Sequence, residues 1–403
     1  MNSTGLAALL LIVAASGAQG ADVPGQHFWV SPASLPRPYA TSAVDNSSQA
    51  IARPAGVMPK APDGFAVSIF ASSVPHARWM AVAPNGDVFL AESDLGKIVV
   101  LRPSADGTHA ARVATFAEAY TLPHGLAFAN GALYVADVKS IWRLSYADGQ
   151  LKSTGRRRHI ANTTPAAGVG HFTRDIVFDT KGNLFLTIGS RNNVDEEPLP
   201  YASVQRVNSD GSLSTFASGL RNPVGIAFYP GTDDLYVTVN ERDGLGTNLP
   251  PDYLTRARQG EFFGWPYAYT GTHPDPDFGK KRPDLVAKSK TPDVLFQPHS
   301  APLGLVFYEG GQFPSEYKGD AFVSLHGSWN AAEPTGYKVV RVRFSNGRPQ
   351  NGYENFVTGF WDGKTSPARV WGRPVGLVVA KDGSLLIADD VGGVVWRVAY
   401  KGK

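Results

Sequence analysis

The chain has 403 residues, of which 43% are hydrophobic and 18% are charged. This composition is typical of a globular protein with ample material for a core, and the 43 glycines and 30 prolines indicate frequent turns. The formal net charge of +3 and a single basic run, the arginines at positions 156–158, do not favour nucleic-acid binding. The sequence contains no cysteine, so neither a disulfide nor a cysteine-attached haem can form.

The N-terminal residues predict export. An apolar segment at positions 6–15 is followed by small residues up to Ala21, a pattern typical of a signal peptide cleaved near Gly20 or Ala21. The apolar segment is shorter than the roughly 20 residues needed to span a bilayer, and no other segment of the sequence qualifies. We therefore predict a signal peptide over residues 1–20 and a mature protein without a transmembrane segment, located in the periplasm or secreted.

Residues 21–62 are rich in Pro, Ala and Ser and show little periodicity, which predicts an extended lead-in. Over residues 63–403, one pattern then occurs six times: an apolar run, a turn or loop, and a second apolar run. The six copies cover residues 78–92, 124–137, 170–191, 223–239, 302–325 and 373–389.

The spacing of these copies predicts the architecture. The turn glycines Gly86, Gly131 and Gly182 are separated by about 45 to 50 residues, the usual length of one propeller blade. A further strand pair follows each copy, beginning in the first repeat at residues 97–101. Four strands in each of six repeats predict an all-β, six-bladed β-propeller, with residues 65–70 as the outer strand of the last blade. We expect the functional site where the blade loops converge on the central channel.

Four motifs carry a family resemblance. They are Leu220-Arg221-Asn222-Pro223, Gly264-Trp265-Pro266-Tyr267, Ser324-Leu325-His326-Gly327-Ser328-Trp329 and Gly372-Arg373-Pro374-Val375-Gly376-Leu377. In this order and on this repeat, they resemble the soluble sugar dehydrogenases that depend on pyrroloquinoline quinone (PQQ). Within that family the resemblance is to the sorbosone dehydrogenase-like enzymes, which are related to soluble quinoprotein glucose dehydrogenase, and it covers about residues 60 to 400.

The resemblance implies oxidation of a sugar hydroxyl, a hemiacetal or a sugar-derived aldehyde, with hydride transfer to the C5 carbonyl of PQQ. His171, at the loop end that opens the third repeat, matches the family's general base, a role suited to a neutral imidazole. A histidine that only caps the loop is the alternative. Arg221 and Asn222 match the pair that contacts the quinone, and we expect Arg221 to act in catalysis by stabilising negative charge there. Trp329 and Trp371 are expected near the pocket mouth.

Further cofactor contacts follow from the three carboxylates of PQQ, which favour cationic donors. Arg373 matches a cofactor-binding position of the family, and His326 stands where the glucose-oxidising members have a lysine. His124 and Arg191 lie on equivalent rim loops and are further candidates for cofactor binding. For each of these residues, an ordinary salt bridge or hydrogen bond at the rim is the alternative.

The resemblance also implies a calcium ion between cofactor and protein. In the family the ion is bound largely through main-chain carbonyls that fall here on Glu241 and Arg242. Asp243 and Asn248 are further candidate ligands, because calcium prefers six to eight oxygen ligands. The ion would act as a Lewis acid that polarises the quinone.

Two other classes of function are compatible with a propeller. A calcium-dependent lactonase or related hydrolase would use an acidic cluster at the channel, for which Glu92, Asp137 and Glu241 are the candidates. A non-catalytic exported binding propeller would leave His171 and Arg221 without a chemical role. For the dehydrogenase we expect a small sugar or aldehyde substrate and a separate electron acceptor, a cytochrome or a quinone-linked carrier.

Overall fold

The computed structural model describes residues 22–164, 169–350 and 352–402. These residues form six antiparallel sheets of four main strands each, arranged around a common axis, so the predicted six-bladed β-propeller is confirmed. The predicted signal peptide, residues 1–20, lies outside the described residues. Within the described ranges, no helix is long and apolar enough to cross a membrane.

The first three blades are each built from consecutive strands. Blade 1 contains Ala77–Val82, Val88–Glu92, Lys97–Pro103 and Ala110–Ala117. Blade 2 contains Leu126–Ala129, Ala132–Ala136, Ser140–Ser145 and Arg158–Asn162. Blade 3 contains Ile176–Phe178, Leu184–Ile188, Ser203–Val207 and Leu213–Ser218, and Glu261–Phe262 runs parallel to its last strand.

The last three blades include strands from distant parts of the chain. Blade 4 contains Asn222–Phe228, Leu235–Asn240, Pro251–Ala257 and Val294–Pro298. Blade 5 contains Pro302–Phe307, Ala321–Leu325, Lys338–Val342 and Tyr353–Val357, with His27–Phe28 at its edge. Blade 6 contains Pro374–Val379, Leu385–Asp389, Val394–Tyr400 and, as its outer strand, Phe65–Ser72. The pairing of Phe65–Ser72 closes the ring, as the sequence predicted.

Short elements lie outside the blades. They are the helix Pro283–Lys288, the 3-10 helices Pro32–Ser34, Ser93–Leu95, Gly279–Lys281 and Ser315–Tyr317, and the strand pairs Ala268–Tyr269 with His273–Pro274, Phe344–Ser345 with Arg348–Pro349, and Gln49–Ala50 with Arg369–Val370.

The first strand of each blade lies nearest the axis and contacts the first strands of its neighbours. Glycine permits this close approach: a Cβ at Gly225 would lie 2.2 Å from the main-chain oxygen of Leu303, and one at Gly376 would lie 2.7 Å from that of Arg78. Any larger residue would push the inner strands apart. The glycine repeated in these strands therefore sets the width of the channel.

Hydroxyl side chains link neighbouring blades near the axis. Thr238 accepts a hydrogen bond from Gly225 N (2.9 Å) in its own blade and donates one to Leu303 O (2.8 Å) in the next blade. Thr187 and Ser324 make the corresponding bonds in blades 3 and 5. Buried main-chain groups are satisfied in this way where the inner strands have no ladder partner.

The apolar core lies between neighbouring blades. Val237 and Val239 of blade 4 pack with Phe185 of blade 3, whereas Tyr236 and Leu254 face blade 5. The second strand of each blade is therefore buried on both faces, which explains why these strands are almost wholly apolar in sequence.

Residues 22–62, which we call the N-terminal strap, run across the outside of blades 4 to 6. His27–Phe28 pairs with the outer strand of blade 5, Gln49–Ala50 pairs with Arg369–Val370, and Lys60 forms a bridge with Thr358. The strap also packs apolar side chains, among them Phe28, Ile51 and Met58, against the core clusters, so main-chain bonds and apolar contacts together hold it to the propeller.

The first residue of the strap forms an ion pair with a buried lysine. Lys338 Nζ lies 2.8 Å from Asp22 Oδ1, and the lysine side chain is 1% exposed. Burial lowers the pKa of Lys338, and Asp22 opposes that shift. We expect Asp22→Ala to lower the free energy of unfolding by about 2 to 3 kcal/mol, because it leaves a buried cation without its counter-charge.

Denaturant unfolding of Asp22→Ala, measured beside Asp63→Ala at an exposed aspartate, tests this expectation. Equal stability of the two variants would show that Gln297, 3.2 Å from Lys338 Nζ, is a sufficient partner.

Candidate functional site

A cavity of about 470 Å³ lies where the loops of the propeller meet near the axis. It is lined by residues just before the first strands of the blades and just after the second strands, from blades 1, 3, 4, 5 and 6. Five of the predicted site residues that bear on the cofactor and the base line this cavity: His171, Arg221, Asn222, His326 and Arg373. Their roles remain predictions, but the fold brings them together.

His171 is held as a neutral imidazole. Its Nδ1 lies 2.6 Å from the main-chain oxygen of Ser190, and Arg174 Nη1 donates to the main-chain oxygen of His171 at 2.7 Å. A carbonyl can only accept, so we assign the proton to Nδ1, which leaves a lone pair on Nε2. Burial, followed by the positive charge of Arg221, lowers the pKa of His171 to about 4. The imidazole is therefore in its basic form at neutral pH.

Gly189 gives His171 and Asn222 the room they occupy. A Cβ at this position would lie 2.4 Å from Asn222 Oδ1 and 2.7 Å from His171 Cβ. We expect Gly189→Ala to reduce kcat/KM by about 100-fold, because a shift of about 1 Å in a catalytic group has that effect. Turnover and circular dichroism of the variant should be compared with those of Gly155→Ala, where a Cβ meets nothing within 4 Å. Wild-type turnover in Gly189→Ala would show that the position of His171 is not critical.

Arg221 is oriented by Asn193, a residue that the sequence reasoning missed. Arg221 Nε donates to Asn193 O at 2.9 Å, and Nη2 donates to Asn193 Oδ1 at 3.1 Å. Nη1 donates to Glu241 O at 2.8 Å, and Trp265 Nε1 also donates to Asn193 O. The guanidinium is thus held on two sides while it lines the cavity. Asn193 could have been predicted as a site residue from its position in the loop after the second strand of blade 3.

A second cationic corner of the cavity contains Arg373, His326 and Arg78. Arg373 donates to the main-chain oxygens of His326 and Gly327, both at 2.9 Å. His326 Nε2 lies 3.0 and 3.1 Å from the two oxygens of Asp390, which also forms an ion pair with Arg78. Sequence reasoning missed Arg78 and Asp390. Arg78 could have been predicted from the repeat, because it stands at the start of the first copy as Arg373 stands at the start of the sixth.

The titration of this corner follows from its charges. Burial, followed by Arg373, lowers the pKa of His326 to about 4. Burial alone would raise the pKa of Asp390, but His326 and Arg78 together lower it. At neutral pH the corner therefore contains two guanidinium groups, one carboxylate and a neutral imidazole.

The opposite side of the cavity is acidic. Glu241, Asp243 and Asp252 line it, and burial raises the pKa of Glu241 to about 8 and that of Asp252 to about 7. Glu241 Oε1 is buried and has no hydrogen-bond partner among the described residues. Asp252, which was not among the predicted ligands, accepts from Glu241 N and Ala301 N, both at 2.8 Å.

Several predicted residues do not line the cavity. The Arg242 side chain pairs with Asp275, and the Arg191 guanidinium lies 5.1 Å from the centre of the Tyr201 ring. His124 is fully buried, with its ring 4.3 Å from that of Trp79. Of these three residues, Arg242 was predicted to bind calcium through its main-chain oxygen, and the pairing of its side chain does not bear on that prediction.

The structure also shows which of the aromatic and acidic candidates line the cavity and which do not. Trp329 lines the cavity and is 48% exposed, whereas Trp371 is 3% exposed and packs in the core, so its expected place at the mouth is wrong. Asp137 accepts hydrogen bonds from the main chain of its own loop and from Trp142, and Glu92 is buried away from the cavity. Of the three acidic residues predicted for a hydrolase, Glu92, Asp137 and Glu241, only Glu241 lines the cavity.

Among the described residues, no group of three or more His, Cys, Asp or Glu side chains is arranged to hold a metal ion. An ion at this site would therefore depend on main-chain oxygens, as the resemblance implied, in addition to carboxylates.

The fold and the cavity define a class: a six-bladed β-propeller with a neutral histidine and cationic side chains around an axial pocket. A family model described as TrAA12-like matches residues 59–401, and the chain belongs to this family. The resemblance to PQQ-dependent sugar dehydrogenases that the motifs indicated is thereby confirmed.

Two curated relatives show how the chain compares with whole proteins. An uncharacterized protein of Borreliella burgdorferi is 30% identical over 356 residues, which cover 85% of this chain and 91% of that protein. The pyrroloquinoline quinone-dependent pyranose dehydrogenase of Coprinopsis cinerea is 28% identical over 329 residues, covering 64% of this chain. The match spans only 43% of the length of that dehydrogenase.

Solved structures show the same fold. The holo form of the PQQ domain of the Coprinopsis cinerea pyranose dehydrogenase aligns with a TM-score of 0.72 and 21% identity, over 88% of this chain and 99% of that domain. The apo form of the soluble aldose sugar dehydrogenase of Escherichia coli aligns with a TM-score of 0.60 and 17% identity, over 83% of this chain and 99% of that chain.

Proposed function

We propose that this protein is a PQQ-dependent dehydrogenase that oxidises a sugar or a sugar-derived aldehyde or hemiacetal, of the sorbosone type. The observation that carries the proposal is the position of neutral His171 in the same cavity as Arg221 and Arg373. The names of the relatives, a pyranose dehydrogenase and an aldose sugar dehydrogenase, support this substrate class.

The cavity fits PQQ in size and charge. Its volume of about 470 Å³ lies within the range of small-molecule sites. Three guanidinium groups, those of Arg78, Arg221 and Arg373, line it and match a ligand with three carboxylates. Arg78 Nε is buried without a hydrogen-bond partner among the described residues, which leaves one donor for a ligand.

The acidic side of the cavity fits a calcium ion. Glu241 offers the unpartnered Oε1 and a main-chain oxygen that also accepts from Arg221 Nη1, and Asp243 and Asp252 offer further carboxylate oxygens. These are the hard oxygen donors that calcium prefers. We propose that Glu241 and Asp243, with the main-chain oxygen of Arg242, hold the ion.

The protein residues would prepare the substrate for oxidation. PQQ, when bound, supplies the carbonyl carbon that accepts a hydride from the substrate carbon. His171 Nε2 removes the proton of the substrate hydroxyl, and the bond from Nδ1 to Ser190 O keeps the ring orientation and stabilises the imidazolium that results. Arg221, held by Asn193, keeps a positive charge where negative charge develops.

Electrons must then leave the protein. The sequence has no cysteine and so cannot attach haem covalently. We propose that a separate cytochrome or quinone-linked carrier accepts the electrons and that oxidation takes place outside the cytoplasm, after export.

The test is dye reduction by purified apo-protein. PQQ and calcium are added separately and together, with a panel of aldoses, sorbosone and simple aldehydes. Sugar-dependent reduction that requires both additions is the expected result. If no dye is reduced and no PQQ absorbance is retained after desalting, the proposal is wrong, and lactone hydrolysis becomes the next activity to assay.

A further inference from the structure

Between the strands that pair with the blades, the N-terminal strap also touches the loops that form the cavity. Two of these loops follow the second strands of their blades: the blade-4 loop, residues 241–250, and the blade-5 loop, residues 326–337. The blade-4 loop contributes Glu241 and Asp243 to the cavity, and the blade-5 loop contributes Trp329 and Asn330. The strap crosses both loops.

Asn46 makes several hydrogen bonds to the blade-5 loop. Its main-chain N donates to the main-chain oxygen of Trp329 at 2.6 Å. Its side-chain amide lies 2.9 Å from Ala331 O, 3.1 Å from Ala332 O and 2.9 Å from Ser366 Oγ. One residue of the strap therefore bonds to the carbonyls of Trp329, Ala331 and Ala332 and links them through Ser366 to the loop that leads into blade 6.

Thr41 makes a second tie. Its Oγ1 accepts from Thr247 N at 3.0 Å, and Thr247 Oγ1 in turn accepts from Ala332 N at 2.6 Å. A Cβ at Gly246 would lie 2.8 Å from both Thr41 O and Thr41 Oγ1, so the strap lies directly on the blade-4 loop. The strap thus couples the two loops through a chain of hydrogen bonds.

The side chain that these bonds hold is half exposed at the cavity. Trp329 is 48% exposed and lines the pocket, and no ring stacked on its indole is found in the described part of the chain. An indole face presented in this way suits the apolar C–H face of a sugar ring. Asn46 bonds through its main-chain N to the Trp329 oxygen and through its side chain to the oxygens of Ala331 and Ala332, so the strap fixes the backbone that carries the indole.

We propose that the strap is part of the substrate site, with Asn46 as the positioning residue that holds Trp329 against a bound pyranose. The inference rests on the proposed function and extends it to a residue outside the propeller. Asn46 itself lies outside the cavity and contributes no apolar packing to the core clusters. Its hydrogen bonds therefore act on the loop more than on the stability of the fold.

The experiment compares Asn46→Ala with Ser47→Ala in the full-length protein. Ser47 is adjacent, and its side chain bonds to Asp45. Thr41→Val serves as a second variant, since it removes the tie to Thr247 with little change in shape. Deuterium uptake of residues 326–337, the affinity for PQQ and the KM for a pyranose are measured, with the pyranose chosen from D-glucose, D-galactose and D-mannose by fastest wild-type turnover.

For Asn46→Ala we expect faster deuterium uptake in the blade-5 loop and a rise in KM of about fivefold to tenfold, the effect of one or two lost hydrogen bonds. kcat and PQQ affinity should stay within about twofold of wild type, and Ser47→Ala should match wild type throughout. Unchanged uptake and KM would overturn the inference, as would a loss of PQQ affinity equal to the rise in KM. If the wild-type protein binds no PQQ, the proposed function fails instead, whatever the uptake shows.

Discussion

Replacement of His171 by alanine is expected to remove most turnover while PQQ still binds. The neutral imidazole lines the cavity as the proposed base, and positioned bases contribute about 10²- to 10⁴-fold to rate. The cationic groups that would hold the cofactor, Arg221 and Arg373, are left in place. Single-turnover reduction of bound PQQ separates the two effects, because it reports the chemical step and not the affinity.

The control is His159→Gln, at an exposed histidine on the outer strand of blade 2. A decrease in PQQ affinity as large as the decrease in rate would contradict the role of His171 as base and would make it a cofactor ligand.

The same residue predicts the pH dependence of the reaction. Burial and Arg221 favour the neutral form, so the pKa of His171 is lowered from its usual value to about 4. The imidazole stays deprotonated above that pH, so the loss of kcat/KM that is due to His171 should appear only when the pH approaches 4. An acidic limb near pH 6.5 that disappears in His171→Gln would show that the histidine is solvated in the working enzyme.

Replacement of Arg373 by alanine is expected to weaken PQQ binding by about 100-fold, because it removes a partly buried cation facing an anionic ligand. Its bonds to the main-chain oxygens of His326 and Gly327 orient the guanidinium, so the loss should be larger than for a flexible surface arginine. At saturating PQQ, turnover should recover to within about tenfold of wild type. Quenching of tryptophan fluorescence by PQQ measures the affinity.

Two variants make this result specific. Arg258→Ala removes an arginine whose side chain is 55% exposed and pairs with Glu261, and it should not change affinity. Arg373→Lys keeps the charge but not the paired donors and should give an intermediate affinity. If Arg373→Ala binds PQQ as tightly as wild type, the carboxylates are held elsewhere, and Arg78 is then the first candidate.

The motif residues and the cavity show where sequence reasoning succeeds. His171, Arg221, Asn222, His326 and Arg373 each stand at a loop end next to a strand that the repeat defines. In a propeller all such loop ends converge on the axis, so a place in the repeat predicts a place at the cavity. The same reasoning could have found Arg78, which begins the first repeat.

Loop position alone does not decide where a side chain points. His124, Arg191 and Arg242 also stand at loop ends, but each side chain has a better partner away from the cavity: Trp79, Tyr201 and Asp275 respectively. Trp79 lies on the first strand of blade 1, Tyr201 in the loop before the third strand of blade 3, and Asp275 in the insert before the last strand of blade 4. No local pattern identifies them, and the side chains follow the contacts that burial offers.

The amino-acid sequence alone specifies the propeller, because the inner strands of each blade form local hairpins whose apolar runs and turn glycines recur about every 50 residues. It also places the main candidates for the base and the cofactor contacts. Only the tertiary structure shows that Asn193 orients Arg221, that Asp390 joins His326 to Arg78, and that the strap holds Trp329. Asn46 and Trp329 are far apart in sequence and meet only when the ring has closed, so their contact has no trace in local periodicity.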